Sequence, residues 1–225
     1  MIIIILALFA VLAFWSNMTI KTAVVRYATT SLMFIGLMIS VVAMVANMHD
    51  HFGMKTVTTT TKTQIYSAGS AQQTFGVLLY QSVGTAGKEN VYIYKATPTA
   101  EKTTLAKPDL KTTSSRVAVS GNRAYKVVQR TRYVYRNNGY KFLFGWADNN
   151  QQLKHRHVTY QVPATWVAMT PDQAKSLSAK LAPKTTEAQA SAAAQQAQLA
   201  ALAKSDPDKA AALQVAQIKK VLAIQ

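Results

Sequence analysis

Two long apolar segments stand at the front of the chain and constrain its fold more than any other feature. Residues 2–20 carry no charged side chain, and residues 27–46 carry none either. A helix rises about 1.5 Å per residue and the hydrocarbon core of a bilayer is about 30 Å thick. Each segment is therefore long enough to cross a membrane. The sequence predicts two spanning helices joined by a tight loop from Lys21 to Arg26.

A cleaved signal peptide is the alternative interpretation of the first segment. A signal peptide needs a positive charge before its apolar core and small residues at its cleavage site. No Lys or Arg precedes the core here, and the bulky Phe14 and Trp15 stand where small residues are needed. These features favour a retained span.

The second segment carries a small residue on each of two successive turns. Gly36 and Ser40 are four residues apart, so they share one helical face. Small residues at this spacing let two membrane helices approach closely. We expect the two spans to pack on each other, and the alternative is that this face docks on a larger membrane partner.

Positive charges near the spans predict their orientation. Lys21 and Arg26 lie in the short loop, whereas Lys55 is the first strong cation after the second span. Cytoplasmic loops carry the excess of Lys and Arg. The loop is therefore expected in the cytoplasm, and the N-terminus and everything after residue 47 outside. The expected location is the cell membrane, with two spans and an extracytoplasmic soluble part.

Residues 54–167 predict a mainly-β domain. They hold short runs rich in β-branched and aromatic residues, separated by turn residues. Such runs favour strands. Strands are expected at 54–63, 75–83, 91–95, 116–119, 123–136, 140–146 and 155–162, with a long loop at 97–115. Asn137-Asn138-Gly139 is typical of a hairpin turn. The pattern indicates an antiparallel sandwich or an open barrel.

This domain concentrates positive charge. The chain has 25 Lys and Arg against 9 Asp and Glu, and residues 54–166 hold 16 of these cations and 4 of the acids. A basic surface attracts phosphate-rich polymers and anionic lipid. Wall polyanions and lipid headgroups are therefore the expected partners, and the alternative is a solvated basic face without a ligand. Nucleic acid is not expected, because no zinc-finger spacing and no RNP-like run occurs.

The strand at 123–136 carries the sharpest charge pattern. Successive side chains of a strand point to opposite faces. One parity is aromatic and mostly apolar, so we expect it to face the core. The other parity forms a candidate anion-binding face: Lys126, Arg130, Arg132 and Arg136.

The residues favour neither a metal or cofactor site nor an enzyme. The absence of cysteine excludes disulfides and thiolate ligands. The four histidines form two His-x-His pairs, His49/His51 and His155/His157. Each pair offers two nitrogens, whereas a zinc site needs a third or fourth ligand. No nucleophile-elbow, zinc-protease or P-loop motif occurs. A cell-wall-modifying enzyme using Glu89 or Asp148 is the least favoured alternative.

The last segment, residues 168–225, has a helical period and is rich in Ala and Gln. Helix starts are expected at Thr170-Pro171, Thr186-Glu187 and Asp206-Pro207, with a stop at Pro183. The third helix carries an apolar stripe: Val215, Ile218 and Leu222. The stripe fits an antiparallel helix pair within one chain or between chains. The alternative is a partly disordered, low-complexity tail.

A family resemblance rests on three features taken together. They are the opening MIIIILALFAVLAFWSN, the compact loop with Lys21 and Arg26, and the basic β-rich domain after the second span. Together they resemble an uncharacterised family of small two-span membrane proteins from lactic acid bacteria, catalogued as a domain of unknown function. The resemblance covers residues 1–167 and leaves the tail outside. It brings no site residues, and it implies an integral membrane transporter, of the multidrug-exporter kind, as a partner.

The predicted architecture has three parts. They are a membrane helical hairpin (1–53), a basic β-rich extracytoplasmic domain (54–167) and a helical tail (168–225). The predicted function is a membrane-anchored binding or accessory module that contacts wall polymers, headgroups or a transporter. The alternative is a structural scaffold that self-associates through the tail helices.

Overall fold

The computed structural model of the protein describes residues 1–70, 73–83, 89–106, 109–181 and 186–223, without the side chains of 89, 178–181 and 186–194. It divides into two compact units. Unit 1 comprises Met1–Thr59 and Arg130–His155, and unit 2 comprises Thr60–Gln129 and Arg156–Gln225.

Two apolar helices open the chain, as predicted. Helix α1 spans Ile2–Thr19 and α2 spans Ala23–Asp50. Only residues 20–22 join them, so Arg26 lies in the first turn of α2 rather than in the loop. Gly36 lies against the Phe9 ring, where an added Cβ would come within 2.5 Å of the ring. The predicted packing of the two spans on each other is thus confirmed at Gly36.

The outer surface of the hairpin is apolar and exposed. Large side chains such as Val11, Phe14 and Met38 are at least 60% exposed. In the most apolar 18-residue stretch of each helix, 6% is buried. Both helices are long and apolar enough to cross a membrane. The two N-terminal helices are therefore compatible with membrane insertion.

Within the described residues, eight strands form two four-stranded sheets. The strands are β1 Met54–Ile65, β2 Gly76–Val83, β3 Glu89–Tyr94, β4 Thr104–Leu105, β5 Thr112–Val119, β6 Ala124–Tyr135, β7 Leu153–Pro163 and β8 Trp166–Met169. One sheet has the order β1-β6-β7-β5 and the other β4-β3-β2-β8. The predicted loop at 97–115 is interrupted by β4 and by the start of β5. Strand β8 was not predicted.

The sheets are mixed, which corrects the antiparallel prediction. Strands β2 and β3 pair antiparallel, but β2 and β8 pair parallel, and so do β5 and β7. The prediction assumed that consecutive strands are neighbours, as in hairpins. Parallel neighbours instead need long crossover connections. The chain between β5 and β7 contains all of β6, and the chain between β2 and β8 contains most of the domain.

Unit 2 packs three layers. Leu78 of β2, Tyr92 of β3 and Tyr160 of β7 meet between the two sheets in one core cluster. The alternate residues Val77 and Val167 face the other way, into a second cluster with the helices that follow β8. Strand β2 is buried on both faces, which explains its nearly continuous apolar run.

Three helices follow β8, as the sequence predicted: α4 Pro171–Leu181, α5 Thr186–Ser205 and α6 Pro207–Leu222. Thr170 and Gln173 form a reciprocal capping box at the start of α4, and the Asp206 side chain accepts a bond from the Lys209 N–H at the start of α6. Pro183 and the Thr186–Gln189 capping side chains lie outside the described residues.

The apolar stripe of α6 packs on the sheet. Val215, Ile218 and Leu222 are buried with Val167 and Met169 of β8 and with Leu177 of α4. Helix α5 contacts α6. The stripe is therefore already covered within this chain, and the helices belong to the same unit as the small sheet.

The prediction of a hairpin turn at 137–139 and a strand at 140–146 was wrong, because these residues form a helix and the start of a 3-10 turn. Helix α3 spans Asn138–Phe144, and a single 3-10 turn follows at Gly145–Ala147. The Asn137 side chain caps the helix by accepting from the Tyr140 N–H. The helix buries Phe144 against Met54 and Tyr135. Tertiary packing and the cap outweigh the turn signal of the Asn-Gly pair.

Candidate functional site

A cleft opens in unit 2 at one edge of the sandwich. It has a volume of about 600 Å³, within the size range of small-molecule sites. Strands β5 and β8 are the edge strands of their sheets on this side. The described residues that line it are Arg116, Ala118, Val119, Ser120, Val162, Pro163, Ala164, Trp166, Ala168 and Lys219.

Strand register explains why the β5 residues converge on the cleft. Arg116 pairs with Tyr160 and Ala118 pairs with Val162. Neighbours in register point to the same face of a sheet, and Tyr160 and Val162 point into the core. Because β5 is an edge strand, Arg116 and Ala118 on that inner face reach the mouth of the sandwich instead of its centre.

The charge in the cleft has one sign. Among its described lining residues only Arg116 and Lys219 are charged, and both are cations. Burial raises the pKa of the Tyr92 phenol, and the nearby Arg116 guanidinium partly offsets that rise. The positive field of Arg116 thus reaches into the core. A cleft lined by charge of one sign focuses that field on a ligand of the opposite sign.

Trp166 forms the aromatic wall of the cleft. A Cβ added at Gly76, its partner in the parallel register, would come within 2.3 Å of the indole ring. Gly76 therefore lets the indole lie flat on the backbone of β2. The cleft thus offers an apolar surface beside two cations, which suits an anionic group attached to an apolar or sugar-like body.

The predicted anion-binding residues are divided between the units. Lys126 belongs to unit 2, whereas Arg130, Arg132 and Arg136 belong to unit 1. The Lys126 ammonium donates to the Tyr94 hydroxyl at 2.7 Å and lies 5.2 Å from the centre of that ring. It stands at the same parity as Ala124 and Val128, which are core residues. In this half of β6, Lys126 and its alternate neighbours were predicted to form an exposed cationic face, but that face is the buried one.

The other half of β6 follows the predicted parity. Tyr133 and Tyr135 pack in the core of unit 1, and Arg132 is exposed. The Arg136 Nε donates to the Met54 carbonyl at 3.2 Å. The side chains of Arg130 and Arg132 make no hydrogen bond or ion pair with any residue that the structure describes. Anion binding by this set stays a prediction.

The histidine pairs are engaged in polar and ring contacts. Both ring nitrogens of His157 pair with hydroxyls, Nδ1 with Thr113 at 2.8 Å and Nε2 with Ser115 at 3.1 Å. His51 stacks on Tyr133 at 3.7 Å and pairs with Gln152. Across the described ranges, no three His, Cys, Asp or Glu side chains lie close enough to hold a metal ion.

The acids considered for wall chemistry do not meet in a described site. The Glu89 side chain lies outside the described residues. Asp148 has a left-handed backbone (φ 50°) in the turn after α3. Burial, with a smaller contribution from Asp148, raises the pKa of the Tyr135 hydroxyl. The Tyr160 hydroxyl is fully buried without a partner among the described residues, and burial raises its pKa well above the usual range.

Sequence reasoning missed the cleft. Trp166 lies on the short unpredicted strand β8, and Lys219 lies on a helix that was expected to pair with another helix or to belong to a partly disordered tail. Arg116 fell in a predicted strand, but its neighbours are brought together only by the parallel pairing of β5 with β7. No local sequence pattern marks these residues as a site, because they are brought together only by the crossover connections between parallel strands.

Comparison with known protein families gives a match over most of the chain. A family model described as a domain of unknown function (DUF4811) matches residues 22–177. It therefore begins in the loop before α2, includes both sheets and ends within α4. Its bounds differ from the predicted 1–167, because α1 lies outside and the start of α4 lies inside. No curated protein and no solved structure matches the chain.

Proposed function

Because the chain belongs to the DUF4811 family, a family of unknown function, we propose its function from its own geometry. It is a membrane-anchored binding module that holds an anionic ligand in the cleft of unit 2. The observation that carries this proposal is the convergence of Arg116 and Lys219 beside Trp166, without a carboxylate among the described lining residues.

The anchor is the helical hairpin. Many of its large apolar side chains, such as Val11, Phe14 and Met38, are covered neither by the two helices themselves nor by other described parts of unit 1. A contiguous apolar surface of this length is unfavourable in water and favourable in lipid. Lys21 and Arg26 at the closed end favour the cytoplasmic side for that end, which supports an extracytoplasmic β domain.

The ligand is expected to carry phosphate. Arg recognises phosphate oxygens with two parallel N–H bonds, and Lys adds a point charge. Phosphodiester wall polymers and phospholipid headgroups share this chemistry on the extracytoplasmic side. Trp166 and the alanines of the cleft would contact the glycerol or sugar part of either.

Binding measurements test the cleft. The full chain in neutral phosphatidylcholine nanodiscs is titrated with a glycerol-phosphate oligomer and, separately, with glycerol phosphate. Substitution of both Arg116→Ser and Lys219→Ser should weaken oligomer binding at least about tenfold, because each charged hydrogen bond contributes about 1.5–3 kcal/mol. The Arg130→Ser/Arg132→Ser variant is the matched control, since it removes the same charge elsewhere.

The comparison of the two variants decides the proposal. A larger loss in the Arg116/Lys219 variant supports the cleft. Equal losses in both variants would show attraction by net charge alone and would overturn it. Binding of the oligomer without binding of glycerol phosphate would favour a polymer over a headgroup as the ligand.

Cysteine labelling tests the orientation. The chain has no cysteine, so Ser120→Cys in unit 2 and Thr22→Cys in the loop each provide one thiol. A membrane-impermeant maleimide on intact cells should label Ser120→Cys and spare Thr22→Cys. The reverse pattern would place the basic domain in the cytoplasm.

A further inference from the structure

Helix α3 and its following turn present two large apolar side chains to the outside of unit 1. Phe142 is 64% exposed and Trp146 is 61% exposed. Phe142 lies in α3 and Trp146 in the 3-10 turn that follows it. The opposite side of the same segment is buried, since Phe144 packs with Met54 and Tyr135. The segment is therefore held firmly by its inner face while its outer face has no described protein partner.

The segment is fixed to the open end of the helical hairpin. The Met1 ammonium donates to the Phe142 carbonyl at 3.2 Å and to the Leu143 carbonyl at 3.0 Å. Ile2 of α1 and Ala43 of α2 pack against the same cluster as Phe144. Ala43 precedes the end of α2 by seven residues, which is about 10 Å of helix. The α3 segment thus lies alongside the last two turns of α2.

An apolar groove along α2 ends close to this segment. Met38, Ile39, Val42 and Phe52 belong to one apolar groove along α2, and none of its described lining residues is charged. The Phe52 ring meets the Tyr140 ring edge-on, with 5.7 Å between centroids. Gly53, at φ 77°, lies against the same Tyr140 ring, where a Cβ would come within 2.3 Å. The lipid-facing surface of α2 therefore continues into the residues that hold α3.

We propose that residues 138–147 lie in the bilayer interface and insert Phe142 and Trp146 among the lipid headgroups. The inference rests on the proposed membrane anchor. The position of the segment alongside the last turns of α2, next to the apolar groove of that helix, favours lipid over a protein partner. Trp is enriched at this level of a membrane, because its ring is apolar and its N–H can bond to water or headgroups. The segment would serve as a third, peripheral contact that fixes unit 1 on the membrane surface.

Single-tryptophan variants test the depth of the segment. The full chain is reconstituted in phosphatidylcholine vesicles containing lipids brominated near the headgroup end or near the far end of the acyl chain. The Trp15→Phe/Trp166→Phe variant leaves only Trp146. Its emission should be blue-shifted, and bromine near the headgroup should quench it more than bromine near the chain end.

A second single-tryptophan variant separates the two proposals. Trp146→Phe/Trp166→Phe leaves Trp15, which reports insertion of α1. Quenching of Trp15 without quenching of Trp146 would overturn the interfacial contact and leave the anchor standing. Loss of quenching at both positions would overturn the anchor itself. A blue shift of Trp146 that disappears when the protein is diluted in lipid would indicate a second copy of the chain as the occupant, and would also overturn the contact.

Gly145→Cys gives an independent readout that does not require the aromatic substitutions. A Cβ at this position meets nothing within 4 Å, so the variant should fold. A nitroxide attached there should collide more often with oxygen, which partitions into lipid, than with a water-soluble nickel chelate. Ser120→Cys is the exposed control and should show the opposite preference. Equal behaviour at the two positions would contradict insertion.

Discussion

Buried amides determine how the end of α2 is held. Asn47 is fully buried, and its side chain donates to the Phe52 carbonyl at 2.7 Å and accepts from the Asn149 amide at 2.8 Å. The Asn149 oxygen accepts from the Tyr135 hydroxyl. The two buried amides satisfy each other's hydrogen-bonding groups. A buried polar group that loses its partner has no water to replace it, which destabilises the fold.

Removal of one partner should therefore be costly. Asn149→Leu leaves the buried Asn47 oxygen without its donor, whereas the Tyr135 hydroxyl keeps the Phe144 carbonyl as an acceptor at 2.8 Å. We expect the free energy of unfolding to fall by about 1–3 kcal/mol. Thermal unfolding in detergent micelles measures the change. The exposed neighbour provides the control, since Asn150→Leu should change stability by less than about 0.5 kcal/mol. Similar losses in both variants would contradict the network.

Gly76 gives a second prediction at this scale. Gly76→Ala places a methyl group where the Trp166 ring lies, so the indole must move out of the cleft wall. We expect destabilisation of about 1–3 kcal/mol, because overpacking displaces both backbone and ring. Binding of the glycerol-phosphate oligomer should weaken in parallel. Gly145→Ala meets open space and should leave both properties unchanged; a Gly76→Ala chain that behaves the same way would disprove this role of Trp166.

Elements were predictable where the signal was local. The alternating strand at 123–136 corresponds to β6, and the capping residues Thr170 and Asp206 stand where helices begin. The parallel pairings and the reversal of parity along β6 were not predictable. The pairings depend on contacts between residues far apart in the sequence. The change of buried face depends on which core each half of β6 joins, and a residue such as Lys126 between Ala124 and Val128 does not indicate which core that is.

The cap of α6 should make the stability of this helix depend on pH. Hydrogen bonds from the Lys209 N–H and ammonium hold the pKa of Asp206 below its usual range in the folded chain. The stabilisation is therefore present above the unfolded pKa, about 3.9, and is lost as the pH falls through the folded value. Asp206→Asn keeps a capping side chain that does not titrate. Its melting temperature, followed by circular dichroism, should fall less between about pH 5 and pH 3 than that of the native chain. An identical fall would contradict the prediction.

At the scale of the whole molecule, the net charge and the exposed apolar surface favour different surroundings. The net charge of +16 favours contact with water and anions, whereas the exposed surface of α1 and α2 favours lipid. Unit 1 holds both helices, and unit 2 holds the cleft. Strands β1, β6 and β7 contribute residues to both units, so neither unit is a continuous piece of sequence.

Two association modes should respond differently to salt. Binding of polyanions should weaken strongly between about 0.1 and 1 M salt, because the screening length falls from about 10 Å to 3 Å. Attachment to the membrane should survive the same salt and an alkaline carbonate wash, since burial of apolar surface does not depend on screening. Fractionation of washed membranes measures the second property. Release of the chain by salt alone would show that the hairpin does not span the bilayer.

The division of unit 1 between two distant stretches of sequence has a consequence for biosynthesis. Residues 1–59 are synthesised before residues 130–155, with residues 60–129 between them. Asn149 is added about 100 residues after Asn47, which takes roughly 5–20 s at common rates of translation. During that interval Asn47 has been made and Asn149 has not. If the hairpin enters a membrane during synthesis, it does so before the residues that cover its polar end exist. Unit 1 is then completed after insertion, and a nascent chain that stalls before residue 149 lacks the partner of the Asn47 amide.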